Sequence, residues 1–222
     1  MKRLRSGFLF MILLFFISGC TGGSQQIASY NGFAVLPELK PGEAVATFAG
    51  GCFWAMQESM LQLKGVNTVI SGYAGGTAVN PTYEEVLQKN TGHAETVQVY
   101  YNPSVITYEQ LALAFFYAHD PTQVNRQGPD IGSDYRSVAF FRSPQELKTL
   151  GKLIHQLTAE RYYRDVIVTS LEPFEQFYPA ESSHQDYYQK NRWDPYIRNV
   201  SRPKVEHVRT ELPDLIKPEY QN

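Results

Sequence analysis

The chain has 222 residues and a formal net charge of −2, with 22 acidic and 20 basic side chains. This balance argues against nucleic acid as the main partner, because no basic surplus is available to neutralise phosphates. Aromatic residues make up 14% of the sequence, enough to fill a core and line a pocket, which excludes disorder over most of the length. The length predicts one domain with extensions.

Residues 1–19 have the pattern of a lipoprotein signal peptide. Three basic residues among the first five precede an apolar run from Gly7 to Ile17, which is short for a membrane span and typical of a signal peptide. The run ends in a segment that resembles a bacterial lipobox, whose cysteine is lipidated; here it is Cys20. The alternative is an ordinary signal peptide with a chance cysteine. We therefore expect a lipid-anchored protein of the bacterial cell envelope, on the periplasmic side of a membrane.

The residue after Cys20 bears on which membrane carries the anchor. It is Thr21 rather than the aspartate that signals retention in the inner membrane. This favours the outer membrane in a cell that has one.

Cys20 and Cys52 are the two cysteines of the chain. If Cys20 carries lipid, Cys52 is alone and no intramolecular disulfide can form, although the expected compartment is oxidising. A buried, inert cysteine that packs as a small hydrophobe is one interpretation. A lone thiol in an exported domain that is used chemically is the other.

Strand and helix patterns alternate after a predicted tether or linker over residues 20–43, which is polar, aperiodic and contains two prolines near its end. The predicted strands are 45–49, 67–73, 94–101, 137–141 and 166–171, and the predicted helices are 52–63, 82–88, 108–119 and 144–161. Residues 119–135 are polar and rich in turn formers. This interleaving predicts an α/β fold in which helices pack on a mixed sheet.

The segment Gly50-Gly51-Cys52-Phe53-Trp54 joins a predicted strand to a predicted helix. The glycines permit a tight turn. Cys52 then falls at a helix N-terminus, where free N–H groups and the helix dipole favour a thiolate. Phe53 and Trp54 follow directly and would form an apolar wall for a small substrate group, although either ring alone is more often part of a core.

Several further segments occur with this one in a characteristic order, and together they resemble the peptide methionine sulfoxide reductase A family. The segments are 71–76 (SGYAGG), 80–83 (NPTY), 91–95 (TGHAE), 119–123 (HDPTQ), 126–128 (RQG), 135–137 (YRS), 180–181 (AE) and 184–187 (HQDY). The resemblance places a catalytic domain at 44–191 and a C-terminal extension at 192–222. It implies a two-layer α+β sandwich with a mixed sheet, a ferredoxin-like plait. It also implies an enzyme that reduces methionine-S-sulfoxide, free or in proteins, to methionine in the repair of oxidised proteins.

The resemblance assigns the two groups that do chemistry. Cys52 would attack the sulfoxide sulfur, and Glu95 would protonate the oxygen. Protonation is needed because a sulfoxide oxygen is a poor leaving group, and a carboxyl kept neutral in a semi-apolar pocket can supply the proton. Without this context, Glu95 would be interpreted as a solvated charge at the edge of a strand.

The resemblance also assigns five substrate-binding residues. Two phenols would donate hydrogen bonds to the oxygen without titrating at neutral pH, two rings would enclose the S-methyl group, and one carboxylate would lie in the polar wall of the site. These residues are Tyr83 and Tyr135, Phe53 and Trp54, and Asp130. Ordinary half-buried tyrosines and a simple turn aspartate are the alternatives.

The sequence departs from the family pattern at 55–57, at Leu87 and at Pro129, and it has no cysteine in the C-terminal region where many members carry a resolving one. A sulfenic acid on Cys52 would therefore be reduced by an external thiol: a thioredoxin-like or glutaredoxin-like protein, or a small thiol. We expect no bound cofactor. We also expect no metal, because no pair of histidines or cysteines has ligand spacing.

Two other classes of function compete with the reductase. One is a Cys/His hydrolase with His93, His119 or His184 as base, although no hydrolase signature surrounds these residues. The other is a non-catalytic lipoprotein that binds peptides in an aromatic pocket, against which the intact Cys52 and Glu95 argue. Consumption of a chromophore-tagged methionine sulfoxide with dithiothreitol discriminates among the three.

Overall fold

A computed structural model describes residues 25–221, which form a mixed six-stranded sheet with helices on one face and two small two-stranded sheets beside it. The strands are β1 (Ser29–Tyr30), β2 (Phe33–Ala34), β3 (Ala44–Gly50), β4 (Val66–Ala74), β5 (Ala94–Tyr101), β6 (Arg126–Gln127), β7 (Asp130–Ile131), β8 (Ser137–Phe141), β9 (Ser170–Pro173) and β10 (Phe177–Pro179). The helices are α1 (Phe53–Leu61), α2 (Tyr83–Leu87), α3 (Tyr108–Tyr117), α4 (Pro144–Ala159), α5 (Tyr187–Lys190) and α6 (Arg202–Glu211).

The strand order confirms the predicted fold class. The large sheet runs β10-β4-β5-β3-β8-β9. Its four central strands pair antiparallel, and with α1 between β3 and β4 and α3 between β5 and β8 they have the order of a ferredoxin-like plait. Strand β9 pairs parallel with β8, which makes the sheet mixed.

The core lies between the sheet and a layer formed by α1, α3, α4 and α6. The rings of Phe48 on β3 and Phe115 on α3 stack at 4.9 Å between centroids. Local signals place the helices: the Thr107 side chain caps α3 by accepting from the Gln110 N–H, and Ser143 caps α4, which has Pro144 at its first position. These segments therefore form helices where one face of the sheet has to be covered.

Residues 25–36, which lie within the predicted tether, contact the domain in the structure. The Gln25 side chain donates to the Val69 carbonyl at 2.6 Å and accepts from the Val69 N–H at 2.9 Å. The Ala34 N–H donates to the Ala180 carbonyl at 3.1 Å. This segment covers part of the sheet face opposite the helices, and it helps to explain why all eight residues of β5 are buried.

The signal peptide and Cys20 lie outside the described residues. Within residues 25–221, no helix combines the length and the apolar character needed to cross a membrane.

The predicted strand 166–171 is displaced along the chain, because pairing with β8 begins only at Ser170, opposite Val138. The Val168 N–H donates instead to the Pro121 carbonyl at 2.8 Å, and Val166 is 78% exposed. The first part of the predicted range is therefore not in the sheet. The three-residue strand β10, which pairs with β4, was not predicted.

The C-terminal segment, expected to be an extension, is packed into the same core. A π-helical turn at Ile197–Ser201 leads into α6, whose Val205 and Val208 are fully buried. Helix α6 packs against α1. This contact brings C-terminal side chains to the end of α1 where Cys52 lies.

Candidate active site

The turn that presents Cys52 requires glycine at Gly51. Its φ is +79°, a conformation that L side chains rarely adopt, and a Cβ there would lie 2.4 Å from Cγ of Gln127. Strand β3 ends at Gly50, and Cys52 is the N-cap residue of α1 with 4% of its surface exposed. The structure thus places Cys52 at the helix N-terminus, as predicted.

Glu95 lies next to Cys52, although the two residues are distant in sequence. Its carboxylate accepts a hydrogen bond from the Phe53 N–H at 2.9 Å, and its side chain is buried. The pKa of Glu95 is raised to about 8, chiefly by burial and with smaller contributions from Asp134 and Asp130, while the hydrogen bond from Phe53 opposes the rise. Much of Glu95 is therefore protonated at neutral pH, the form that a proton donor needs.

The resting form of Cys52 differs from the expected thiolate. Burial, and then the neighbouring Glu95, raise the pKa of the Cys52 thiol to about 12. Hydrogen bonding with Tyr196, the Trp54 N–H and the charge of Lys204 lower this pKa, but by less. The helix N-terminus cannot offset the removal of water from the sulfur, so the thiol keeps its proton in the free protein.

Aromatic rings surround the nucleophile on one side. Phe53 is buried, and its ring lies 6.3 Å from that of the half-buried Trp54 and 6.3 Å from that of Tyr83. Trp54 stacks on Tyr187 at 3.8 Å between centroids, and its Nε1 donates to Nδ1 of His184 at 3.3 Å. These contacts fix the rings in place, and the two predicted wall residues do lie together.

Tyr83 and Tyr135 both interact electrostatically with Glu95 and with each other. Burial, and then the charge of Glu95, raise the pKa of both phenols, so each keeps its proton. Tyr83 is the first residue of α2, and Thr82 and Glu85 form a capping box at the start of this helix. The Tyr83 N–H donates to Oε1 of Glu181 at 2.8 Å. The structure therefore holds two neutral O–H donors near the carboxyl.

Asp130 is connected to the site by Tyr196, which the sequence did not indicate as a site residue. The Tyr196 hydroxyl donates to Oδ2 of Asp130 at 2.5 Å, and it also interacts with the Cys52 thiol. Tyr196 and Lys204 both come from the segment beyond residue 191. The apolar spacing of Val205 and Val208 was a usable signal that this segment packs on the domain.

The histidines do not form a Cys/His pair with Cys52. His119 Nδ1 donates to the Phe115 carbonyl at 2.8 Å, so Nε2 accepts from the Ser137 hydroxyl at 2.7 Å. Burial lowers the pKa of His119 to about 4, which keeps it neutral. His93 bonds to the backbone at Gly76 and Ala78, and His184 to Trp54. These bonds argue against the hydrolase alternative.

No group of three or more histidine, cysteine or acidic side chains within residues 25–221 is arranged to hold a metal ion. Ring contacts, hydrogen bonds and electrostatic interactions connect the predicted site residues of the described part of the chain, in several cases through Glu95 or Tyr196. The predicted lipidation site, Cys20, lies outside it.

Comparisons with known proteins agree with this geometry. Residues 44–215 match the family model described as peptide methionine sulfoxide reductase. A peptide methionine sulfoxide reductase MsrA of Natronomonas pharaonis is 49% identical over 173 residues, which cover 78% of this chain and 97% of that protein. MsrA 1 of Rhodopirellula baltica is 47% identical over 180 residues, covering 81% and 93%.

Solved structures give the same result. Reduced Mxr1 of Saccharomyces cerevisiae superposes with a TM-score of 0.66 at 36% identity, covering 70% of this chain and 90% of that one. Methionine sulfoxide reductase A of Corynebacterium diphtheriae superposes with a TM-score of 0.62 at 32% identity, covering 71% and 80%. The family match continues beyond residue 191, as does the packed core.

Proposed function

The chain belongs to the peptide methionine sulfoxide reductase family, and from that premise we propose that Cys52 is its nucleophile and Glu95 its proton donor. The enzyme reduces methionine sulfoxide to methionine. The observation that carries the assignment is the hydrogen bond from the Phe53 N–H to Glu95, which places a largely protonated carboxyl beside a buried thiol. A nucleophile and an acid at one end of one helix are what sulfoxide reduction requires.

In the proposed step, the Cys52 sulfur attacks the sulfoxide sulfur while Glu95 gives its proton to the oxygen. The attack forms a bond between the two sulfurs, and the thiol proton passes to the Glu95 carboxylate. The protonated oxygen then moves from the substrate sulfur to the Cys52 sulfur as the S–S bond and the substrate S–O bond break, which gives a sulfenic acid and consumes no net proton. Methionine leaves as the thioether, and the carboxyl returns to its starting state.

The surrounding side chains have separate tasks in this proposal. Phe53 and Trp54 enclose the S-methyl group, because they form the apolar side of the site. Tyr83 and Tyr135 hydrogen-bond to the oxygen as its negative charge grows. Asp130, held by Tyr196, lies in the polar wall. Such a chiral arrangement, methyl on one side and oxygen on the other, admits one sulfoxide epimer, for which we propose the S form.

Recycling uses an external thiol. The other cysteine of the sequence is Cys20, for which we propose lipidation. In the C-terminal segment that packs near Cys52, Tyr196 is followed by the buried Ile197, and neither side chain is a thiol. A thiol RSH therefore meets the sulfenic acid directly, forming a mixed disulfide and water, and a second thiol releases Cys52. The donor is a thioredoxin-like or glutaredoxin-like protein or a small thiol.

A single turnover tests both parts of the proposal. The full chain in detergent, mixed with excess racemic methionine sulfoxide and no reductant, is expected to yield one methionine per protein. Peptide mass spectrometry is expected to find one dimedone adduct on Cys52 and no internal disulfide, and chiral chromatography to find only the S epimer consumed. The control is Cys20→Ser, which leaves one cysteine and is expected to give the same yield.

Two methionines per protein would reveal a second redox group, and an adduct elsewhere would displace Cys52 as nucleophile. Equal loss of both epimers would contradict the proposed stereochemistry alone.

We also propose that Cys20 anchors the enzyme to a membrane of the bacterial envelope. Gln25 is already bonded to Val69 and Asp186 of the domain, and five residues of extended chain span at most about 17 Å. The catalytic domain would therefore lie close to the membrane surface, beside oxidised envelope proteins. We expect Cys20→Ser to move the protein from the membrane fraction to the soluble fraction; a variant that stays with the membrane would reject the anchor.

A further inference from the structure

Lys204 has a buried ammonium group that nothing in the proposed reaction yet uses. Its Nζ is inaccessible to solvent and has no hydrogen-bond partner among residues 25–221. Burying a lone charge is strongly unfavourable, and lysines are rarely buried unless they are paired. A lysine amine that is buried beside an active site without a hydrogen-bond partner is therefore stabilised when a neighbouring group gains negative charge.

The position of Lys204 points to Cys52 as the source of that charge. Lys204 lies in α6, which packs against α1 through its buried valine face, and Cys52 caps the N-terminus of α1. Lys204 also lines a cleft of about 320 Å³ together with His119 and Gln127. Gln127 contacts the backbone at Gly51, directly before the nucleophile.

The charges around the site are divided between its two reacting groups. Asp130 and Asp134 both act on Glu95, and they favour its protonated form. Burial lowers the pKa of Lys204, whereas Cys52, and then Asp130 and Glu95, raise this pKa and favour the ammonium form. Asp130 and Asp134 thus favour the neutral form of the acid, whereas Lys204 favours the anionic form of the sulfur.

We propose that Lys204 is a further functional residue of this enzyme: its ammonium group is the counter-charge for the anionic forms of Cys52. These forms are the thiolate that attacks the sulfoxide and the sulfenate that remains afterwards. The inference rests on the proposed role of Cys52 as nucleophile. The sulfenate persists until an external thiol reacts with it. A cation therefore stabilises it for longer here than in an enzyme that forms an internal disulfide at once.

Other groups also face Cys52, and the test must separate them from Lys204. Glu95 on β5, Tyr83 on α2 and Tyr196 before the π-helical turn interact with the thiol. Asp130 on β7 accepts a hydrogen bond from Tyr196, and the neutral His119 after α3 lies beside Gly50. None of these groups is a cation, whereas Lys204 acts on the thiol as one. Its removal therefore disfavours the thiolate, whereas removal of the Glu95 charge favours it.

The test is the rate of Cys52 alkylation by iodoacetamide from pH 7 to 10, read on the Cys52 peptide of the full chain. Lys204→Met is expected to lower the rate at pH 8 by about tenfold, equivalent to a rise of about one unit in the pKa of the thiol. Lys204→Arg keeps the charge and is expected to stay near the wild-type rate. The control is Lys217→Met, which removes a partly buried lysine bonded to the Leu61 carbonyl at the other end of α1 and should change nothing.

A wild-type alkylation rate in Lys204→Met overturns the proposal and leaves Lys204 as a packing residue. Equal slowing in Lys204→Met and Lys204→Arg also overturns it, since shape rather than charge would then matter. Should Lys204→Met not fold, Lys204→Gln compared with Lys204→Arg decides in the same way. Glu95→Gln is expected to alkylate no more slowly than wild type. Failure of the wild type to form a sulfenic acid on Cys52 would instead refute the proposed function.

Discussion

Glu95→Gln is expected to reduce methionine sulfoxide about 10²- to 10⁴-fold more slowly than the wild type, because an amide cannot donate the proton that the leaving oxygen needs. The fold should be preserved, since the amide oxygen can still accept the hydrogen bond from the Phe53 N–H. The measurement is kcat/KM for a chromophore-tagged methionine sulfoxide with dithiothreitol as reductant. The control is Glu84→Gln, an exposed acid on α2.

For Glu95→Gln we also predict a change in the free energy of unfolding. The pKa of Glu95 is raised from 4.5 to about 8 by burial, so the folded protein binds a proton that the unfolded chain has released across this window. The contribution of Glu95 to the free energy of unfolding therefore falls as pH rises from 4.5 to 8. We expect the free energy of unfolding of Glu95→Gln, measured with urea, to increase relative to that of wild type as the pH rises from 5 to 8. Wild-type turnover in this variant, with the stability gain present, would move the proton donor to a tyrosine or to water.

Loss of both phenols is expected to have the second large effect. Tyr83→Phe and Tyr135→Phe each remove one neutral donor near Glu95, and each is expected to lower kcat/KM by about 10²-fold. The double variant should lose more than either single variant but less than the product of the two losses, because both hydroxyls act on one oxygen. The assay is the same, over substrate concentrations that separate kcat from KM.

Tyr178→Phe on β10 is the matched control, since the ring of this tyrosine packs edge-on against His93. Single variants with wild-type kcat/KM would exclude the phenols as donors to the oxygen. A change confined to KM would assign them to binding of the ground state rather than to the reaction.

The amino-acid sequence by itself determined the local features of the site and the identity of the family. The Gly50-Gly51 turn, the start of α1 at Cys52 and the caps of α3 and α4 depend on residues within one or two turns of chain. The family pattern then indicated a methionine sulfoxide reductase, which the comparisons confirm. The fold class followed from the alternation of strand and helix patterns together with this resemblance.

Only the tertiary structure decided the protonation states and the full set of partners. A helix N-terminus favours a thiolate, but burial of Cys52 outweighs it, and desolvation is a property of the whole packed site. Glu95 meets the Phe53 N–H through strand register, across 42 positions of sequence. Tyr196 and Lys204 lie near Cys52 because the valine face of α6 has to be buried against α1. Local sequence cannot report such contacts, because they depend on which distant surfaces share one core.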